Sequence, residues 1–226
     1  MKGYKFLKSE LVDSTIRGRI RLASLAYYRA MEGPQWIADR NDGVDTAILE
    51  KFTHRRTNPE AAFHRRKLSS AMGIKIEGNA DNINFAGTVR TETTAPPCHI
   101  YCFSLEPFDS ARKAMCEDAP QEYRYDACVE IADIDWFCRC VSNGKIDGLP
   151  LSNLMAELYH RDVSYEKKVH RFESSEPFSV DPFSKHNQFR YQQEYRLLFL
   201  PRKPLPDHVF VDFLVPPGLL QRKSLS

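Results

Sequence analysis

Residues 188–200 constrain the fold of this chain most, because a polar, charged segment runs there directly into an apolar and aromatic one. The second half of this stretch has the composition of a β-strand. In an extended chain, successive side chains alternate between the two faces. Tyr195, Leu197 and Phe199 therefore point to one face, and we expect that face to pack against the core.

Gln192 and Glu194 occupy the opposite face of the same predicted strand, about 7 Å apart along it. A carboxylate and an amide at the mouth of a buried strand can bind a hydroxylated ligand such as a ribose. The alternative is an edge strand whose polar end is solvated. The sequence of this strand alone leaves both interpretations open.

Short strand candidates dominate the rest of the chain, and helix candidates are few. The strand candidates are residues 4–7, 19–25, 74–77, 82–90, 98–104, 127–131, 160–172, 191–200 and 208–215. Helices are predicted over 10–17, between Asn58 and Gly73, and over 133–142, with polar connections over 34–57 and 106–126. This pattern predicts an α+β fold with a split, mixed or mostly antiparallel sheet and a few flanking helices.

Length and composition are those of a globular chain. It has 226 residues, a mass of 26.1 kDa and 42% hydrophobic residues, which is enough to bury a full core as one domain over 1–226. No apolar run approaches the roughly 20 residues that span a bilayer. Charges interrupt the first ten positions, which is untypical of a secretory leader. We therefore expect a cytoplasmic protein without a membrane partner.

Six cysteines raise the questions of disulfides and of zinc. Three of them lie in apolar or aromatic stretches: Cys128, Cys138 and Cys140. No two of the six have the spacing Cys-x-x-Cys, so reduced cysteines that act as small hydrophobes are the expected state in a cytoplasmic protein. A metal site at Cys98, His99 and Cys102 is the alternative.

Basic residues crowd the region 51–75, where acids are few. Asn58 and the proline that follows it are typical of a helix start, and Gly73 is typical of a helix end. Three cations mark the basic face of this predicted helix: Arg65, Arg66 and Lys67. Such a cluster attracts phosphate backbones. A solvated helix face whose charges are paired elsewhere is the alternative.

Three short segments give the chain a resemblance to the ADP-ribosyltransferase superfamily, and within it to toxins of bacterial toxin–antitoxin and phage-defence systems. They are Tyr4-Lys5-Phe6 on the first strand, Arg21-Leu22-Ala23-Ser24-Leu25 followed by Tyr27-Tyr28-Arg29, and Gln192-Gln193-Glu194 on a late strand. They occur in the order found in the family. Lysine at position 5 replaces the usual arginine or histidine, and the full Ser-Thr-Ser triplet is missing. The superfamily binds NAD without a glycine-rich fingerprint, and the lack of one here argues against a Rossmann dehydrogenase.

The resemblance implies NAD as co-substrate and no metal. Glu194, held against the ribose 2′-hydroxyl, would stabilise the positive charge that develops as the nicotinamide–ribose bond breaks. Gln192 would orient the acceptor, and Tyr28 or Tyr27 would stack on the nicotinamide. Ordinary burial beside a strand end is the alternative for these tyrosines. The other implied cofactor-binding residues are Tyr4, Ser24 and, for the pyrophosphate, Lys5 or Arg29.

The segment 181–191 interleaves basic and aromatic residues, among them Lys185, Phe189 and Arg190. This mixture suits stacking on unpaired bases with cations on the phosphates. Together with the basic region it favours a nucleic acid, RNA rather than DNA, as the acceptor. A packed loop in which Phe189 anchors the core is the alternative. The resemblance to toxins also implies an antitoxin protein as a partner.

Two other functions remain open. A non-catalytic nucleic-acid-binding or interaction domain of a defence operon would use the basic region and the aromatic loop, but it would give Glu194 no task. A nuclease would use a metal ion held by Asp39, Asp42 and Asp45. Those three acids are equally typical of a polar loop.

Overall fold

A computed structural model describes residues 1–30, 42–50, 53–55, 66, 68–69, 73, 75, 82–84, 88–105, 107–166, 169–171 and 180–225. The chain forms two compact units. The first unit comprises Met1–Asp42, Pro96–Glu166 and Phe183–Ser226, and the second comprises Gly43–Ala95 and Lys167–Pro182. The expectation of a single domain over 1–226 stays a prediction.

Strands account for most of the regular structure in the described residues. They are β1 (Gly3–Leu7), β2 (Arg19–Ser24), β3 (Val44–Glu50), β4 (Thr53–Arg55), β5 (Asn82–Asn84), β6 (Thr88–Thr94), β7 (His99–Ser104), β8 (Ala127–Ile131), β9 (Lys145–Ile146), β10 (Leu149–Pro150), β11 (Met155–Asp162), β12 (Ser164–Glu166), β13 (Val169–Arg171), β14 (Ser184–His186), β15 (Glu194–Pro201), β16 (His208–Asp212) and β17 (Leu220–Lys223).

The helices are short. They are α1 (Val12–Ile16), α2 (Leu25–Ala30), α3 (Phe108–Arg112), α4 (Ile134–Ser142) and α5 (Leu151–Leu154). Single turns of 3-10 helix occupy Ser9–Leu11 and Gln121–Tyr123, a longer 3-10 segment occupies Asn187–Gln192, and a π-helical segment occupies Lys113–Asp118. The first unit is therefore α+β, with few helices.

The first unit is built on a ten-stranded sheet whose paired strands all run antiparallel. On one side, β7 pairs along its length with β15, which in turn pairs with β11. On its other side, the start of β7 pairs with β2 and its last residue pairs with β1. The sheet thus splits beside β7 into one branch through β2, β16, β9 and β10, and another through β1, β8 and β17.

The two faces of β15 have different environments. Tyr195, Leu197 and Phe199 belong to the main hydrophobic core, as the alternation of the sequence predicts. Glu194 and Arg196 are on the opposite face and are also buried. A strand that is buried on both faces, with charges on one of them, indicates that the charged face lines an internal site.

Helix α4 covers the apolar face of the sheet. Its buried residues recur at helical spacing: Ile134, Phe137, Cys138 and Val141. Asp133 precedes the helix, and its side chain accepts a hydrogen bond of 2.8 Å from the backbone N–H of Trp136. This N-cap satisfies one of the amides that a helix start leaves unpaired. The predicted helix over 133–142 is confirmed.

The second unit contains a three-stranded sheet and a separate two-stranded sheet. In the first, β3 pairs antiparallel with β6 and parallel with β13. In the second, β4 pairs antiparallel with β5. The predicted polar connection over 34–57 is therefore wrong across β3 and β4.

Most other predicted elements of the first unit are confirmed within a few residues, including the strands at 4–7, 19–25, 98–104 and 127–131. The predicted connection over 106–126 contains short helical segments, and β17 was not predicted. Residues 66, 68 and 69 are helical, but the rest of the basic helix lies outside the described residues. So does nearly all of the strand expected at 74–77. Within the described part of the chain, no helix is long and apolar enough to cross a membrane.

Candidate functional site

A pocket of about 620 Å³ opens in the first unit beside the split in the sheet. Three adjacent strands supply one of its walls, because Tyr4 of β1 and Glu194 of β15 both pair with Ser104 of β7. Directly opposed residues of neighbouring strands share a face of the sheet. Other elements complete the lining, among them Tyr28 of α2 and Lys185 of β14.

Four charged side chains form a buried network on one wall of this pocket. The Arg196 guanidinium donates to both carboxylate oxygens of Asp42, at 3.0 and 2.9 Å. Its Nε also donates to Oε1 of Glu194 at 2.8 Å. Lys185 Nζ donates to Oε2 of Glu194 at 3.0 Å and to Oε1 of Gln192 at 2.7 Å. Arg196 is 0% exposed, Lys185 4% and Glu194 6%, so these are interior ion pairs.

The backbone conformation of the Gln-x-Glu segment differs from the one predicted from the sequence. Gln192 ends the 3-10 segment, Gln193 is left-handed with φ 41° and ψ 51°, and the strand starts only at Glu194. The predicted extended strand over 191–193 is wrong. The side chains of Gln192 and Glu194 nevertheless lie on the same site, because both accept a hydrogen bond from the ammonium group of Lys185.

The network fixes the charge of Glu194. Burial by itself raises the pKa of this carboxyl. The charges of Arg196 and Lys185, and hydrogen bonds from Cys102 and Lys185, outweigh burial and hold the pKa well below its ordinary value. Burial likewise lowers the pKa of Lys185, but Glu194 and Asp42 more than compensate and raise it. Glu194 is therefore an ionised carboxylate inside the pocket.

Lys5 contributes a further cation beside the split. Its Nζ donates to the backbone oxygen of Cys102 at 2.6 Å and lies 4.7 Å from the centroid of the Tyr101 ring. Burial, partly offset by the charges of Cys102 and Glu194, lowers the pKa of Lys5. This lysine is more easily neutralised than a solvated one.

The remaining lining of the pocket is largely aromatic. Tyr4, Phe6, Tyr28 and Tyr125 all contribute. Burial raises the pKa of Tyr28 and Tyr125 above the ordinary value for tyrosine, so both phenols are neutral at physiological pH. The pocket thus combines a charged wall with flat apolar surfaces, an arrangement that suits a ligand with a ring and polar groups.

Three residues predicted to bind the cofactor do not line the pocket. Ser24 accepts a hydrogen bond from the backbone N–H of Tyr27 at 2.9 Å and donates to Asp207 at 3.0 Å, so it caps α2. The Tyr27 ring contacts the His208 ring at a centroid distance of 5.8 Å. Arg29 donates to the backbone oxygen of Asp42 at 3.1 Å. Arg29 therefore braces the residue that pairs with Arg196.

The described residues that were predicted to contact a nucleic acid differ in their exposure. Lys185 points into the pocket, and Phe189 is 1% exposed beneath it, with Lys185 Nζ 5.0 Å from the Phe189 ring centroid. Arg66 and Arg190 are exposed. Arg65 and Lys67 lie outside the described residues. In this structure Phe189 offers no surface for a base to stack on, and contact of these residues with a nucleic acid stays a prediction.

Sequence reasoning missed Arg196, and it considered Asp42 and Cys102 only as possible metal ligands. Arg196 had a usable signal, because it follows Glu194 by two positions on a strand and must therefore share its face. Cys102 opposes Arg196 on β7, but that pairing cannot be read from a single strand. Asp42 is 154 positions from Arg196, and no local pattern links the two.

Metal-binding alternatives find no support in the described residues, where no group of three or more His, Cys, Asp or Glu side chains could hold a metal ion. All six cysteines are free thiols. His99 shares a 2.7 Å hydrogen bond with the backbone oxygen of Pro206. Asp42 is bound to Arg196, and Asp39 lies outside the described residues.

The fold and pocket define an α+β protein with a large, mainly antiparallel sheet and a charged, aromatic pocket beside the split in that sheet. Comparisons with protein families, with curated proteins and with solved structures found no match to this chain.

Proposed function

We propose that this chain is a cytoplasmic NAD-dependent ADP-ribosyltransferase that breaks the nicotinamide–ribose bond and transfers ADP-ribose to a nucleic acid, RNA rather than DNA. The observation that carries the proposal is the composition of one pocket. Five of the residues expected to act on or bind NAD line it: Tyr4, Lys5, Tyr28, Gln192 and Glu194. They come from three separate segments of the sequence, so their meeting is not a consequence of adjacency.

The chemistry needs an ionised carboxylate near the reacting ribose. Positive charge develops on the anomeric carbon as nicotinamide leaves, and a fixed negative charge stabilises that state more than the ground state. Arg196 and Lys185 keep Glu194 ionised, and Asp42 and the sheet hold Arg196 in place. Glu194 is therefore pre-positioned and needs no change of protonation state before reaction.

The other pocket residues suit the remaining parts of NAD. Tyr28 offers an aromatic ring for the nicotinamide. Gln192 carries an amide that can orient an acceptor, since an amide both donates and accepts. Lys5 offers a cation for the pyrophosphate.

The acceptor and the biological role are part of the same proposal. Exposed Arg66 and Arg190 favour a phosphate-rich acceptor, because cations at a surface attract nucleic-acid backbones. An enzyme that consumed NAD or modified RNA would harm its own cell, so a toxin of a phage-defence system with a neutralising antitoxin fits this activity.

The proposal is tested by incubating the purified protein with NAD labelled in its adenylate part, with and without total RNA. Nicotinamide release and label on RNA are measured separately. Glu194→Gln is expected to lower both rates about 10²–10³-fold, as for the loss of a main electrostatic stabiliser. Glu122→Gln, which changes an exposed carboxylate of the first unit, is the matched control and should act as wild type.

Three outcomes separate the alternatives. Wild-type protein that binds RNA but never releases nicotinamide would favour a non-catalytic nucleic-acid-binding domain. Magnesium-dependent shortening of RNA without NAD cleavage would favour a nuclease. Nicotinamide release that is equal in wild type and Glu194→Gln would remove Glu194 from the catalytic site.

A further inference from the structure

Three nitrogens surround the carboxylate of Glu194, which offers about four lone-pair sites. Arg196 Nε and Nη2 lie 2.8 and 2.7 Å from Oε1. Lys185 Nζ donates to Oε2 at 3.0 Å. A ligand hydroxyl that binds at Oε2 therefore competes with Lys185.

The two donor side chains are not held equally. Arg196 is fully buried and bound through two nitrogens to Asp42. Lys185 lies in the three-residue strand β14, whose partner β12 is equally short. Its long, flexible side chain can swing without moving the backbone. Lys185 is therefore the donor that can leave at the smallest cost.

A displaced ammonium group must keep an anionic partner. Separating one member of a buried ion pair leaves an uncompensated charge in a medium that solvates it poorly. A neutral ligand can replace the hydrogen bond to Glu194 but cannot replace its charge. A ligand that carries an anion as well as a hydroxyl can satisfy both Glu194 and Lys185.

We propose that Lys185 is a displaceable cap on Glu194, and that this cap selects ligands carrying a sugar hydroxyl and a phosphate together. Such ligands are nucleotides, as opposed to nucleosides or free phosphates. This inference rests on the proposed function, because it concerns the same pocket and names what the pocket rejects. Lys185 then determines specificity, and the nucleic-acid contact expected from its sequence is not its main role.

Binding of three probes tests the cap. ADP-ribose carries both groups, adenosine carries only hydroxyls, and pyrophosphate carries only the anion. Calorimetry on the wild type should give ADP-ribose an affinity about 10²–10³-fold above that of either partial probe, the scale expected when a buried charge keeps or loses its partner. Similar affinities for ADP-ribose and adenosine, or no binding of ADP-ribose, would overturn the proposal.

Lys185→Met is the informative variant. Adenosine should bind it more tightly than it binds wild type, because Lys185 no longer competes for Glu194, and the advantage of ADP-ribose should shrink to within about tenfold. Lys203→Met removes an exposed lysine of the first unit and should leave the ratio unchanged. A Lys185→Met protein with the wild-type ratio would overturn the proposal, since a purely structural lysine would not change probe selectivity.

A second measurement uses the wild-type protein and does not depend on the folding of Lys185→Met. Lysine labelled with ¹⁵N on the side chain reports each ammonium group by NMR, and the Lys185 signal is assigned by its absence from Lys185→Arg. ADP-ribose should shift this signal, and adenosine should leave it in place. An unchanged signal at saturating ADP-ribose would overturn the cap.

These readouts need no catalysis, so they separate this inference from the proposed function. If the protein selects ADP-ribose through Lys185 but never releases nicotinamide, the cap is supported and the transferase assignment is contradicted. If the protein cleaves NAD but Lys185→Met retains the wild-type selectivity, the transferase assignment is supported and the cap is contradicted.

Discussion

At the scale of single residues, charge balance governs the pocket wall. Asp42 and Glu194 supply two anions, and Lys185 and Arg196 supply two cations, all of them buried. Such a cluster contributes little net stability when complete, since desolvation offsets attraction, but it is sensitive to the loss of one member. The residues to which we assign the proposed catalysis therefore also make the interior sensitive to substitution.

This balance predicts that Glu194→Gln destabilises the protein, because it leaves two buried cations with one anion. We expect a loss of about 3–5 kcal/mol in the free energy of unfolding, measured by urea denaturation. Adding Lys185→Met to Glu194→Gln restores the balance and should recover more than half of that loss. A double variant less stable than Glu194→Gln would contradict the charge-balance argument.

The pH dependence gives an internal check on this prediction. The pKa of Glu194 is lowered in the folded protein from an ordinary value of 4.5. Its contribution to stability is therefore complete above pH 4.5 and is lost as the pH falls from there towards the folded pKa. The stability gap between wild type and Glu194→Gln should narrow below pH 4.5. If the difference in unfolding free energy between the two proteins is constant from pH 7 to pH 3, the ionised carboxylate of Glu194 is not the source of that difference.

The sequence predicted single residues well where a local pattern exists. Alternation along β15 assigned Tyr195, Leu197 and Phe199 to the core, and the same rule applies to Arg196. It failed at Gln193, whose left-handed conformation is uncommon outside glycine. Nothing in the sequence marks that position, which lies between two residues that both bind Lys185.

At the scale of elements, the turn between α1 and β2 depends on Gly18. Its φ is +88°, and a Cβ there would lie 2.1 Å from the backbone oxygen of Phe213. The Phe213 N–H also donates to the backbone oxygen of Gly18 at 2.8 Å. The two segments approach so closely that no side chain fits between them.

Gly18→Ala should therefore cost about 3 kcal/mol of unfolding free energy, since it adds a backbone clash to an unfavourable φ. Gly148→Ala is the matched control. Its φ is +81°, but a Cβ there meets no described atom within 4 Å, so only the conformational cost of about 1 kcal/mol remains. Thermal or urea unfolding of both variants measures the difference, and equal losses would contradict the role of the close approach.

Helices and strands were predicted best where apolar residues recur at regular helical or strand spacing. Helix α4 has four apolar residues at helical spacing and an aspartate cap, and its bounds were predicted closely. Strand β3 begins next to Gly43 in a stretch rich in aspartate, which favoured a loop over the strand that forms. Strand β17 contains Gln221, Arg222 and Lys223, and this polar composition does not predict a strand. The strand is defined by its pairing with β8, which is not visible in the local sequence.

At the scale of the whole molecule, the acceptor proposal predicts salt-dependent binding to RNA. Neutralised phosphates release counterions, so the affinity should fall steeply as salt rises. Replacing Arg65, Arg66 and Lys67 together by alanine should weaken binding and reduce the slope of log affinity against log salt by about two, for three single-strand phosphate contacts.

Filter binding across a salt series measures this slope. Cleavage of NAD without RNA is the control and should persist in the triple variant, because the pocket residues belong to the first unit and residues 65–67 to the second. If the triple variant binds RNA as wild type does at physiological salt, the basic segment is a solvated face. The acceptor should then be sought among proteins.

The ion pair between Asp42 and Arg196 joins positions 154 residues apart, so it forms late in the synthesis of the chain. At roughly 5–20 residues per second, Arg196 leaves the ribosome about 8–30 s after Asp42. For most of that interval the carboxylate of Glu194 and the cations of Lys185 and Arg196 have not been synthesised. A chain interrupted before residue 185 thus carries only one of the four charges, and any activity of the pocket begins only when translation has passed its last charged residue.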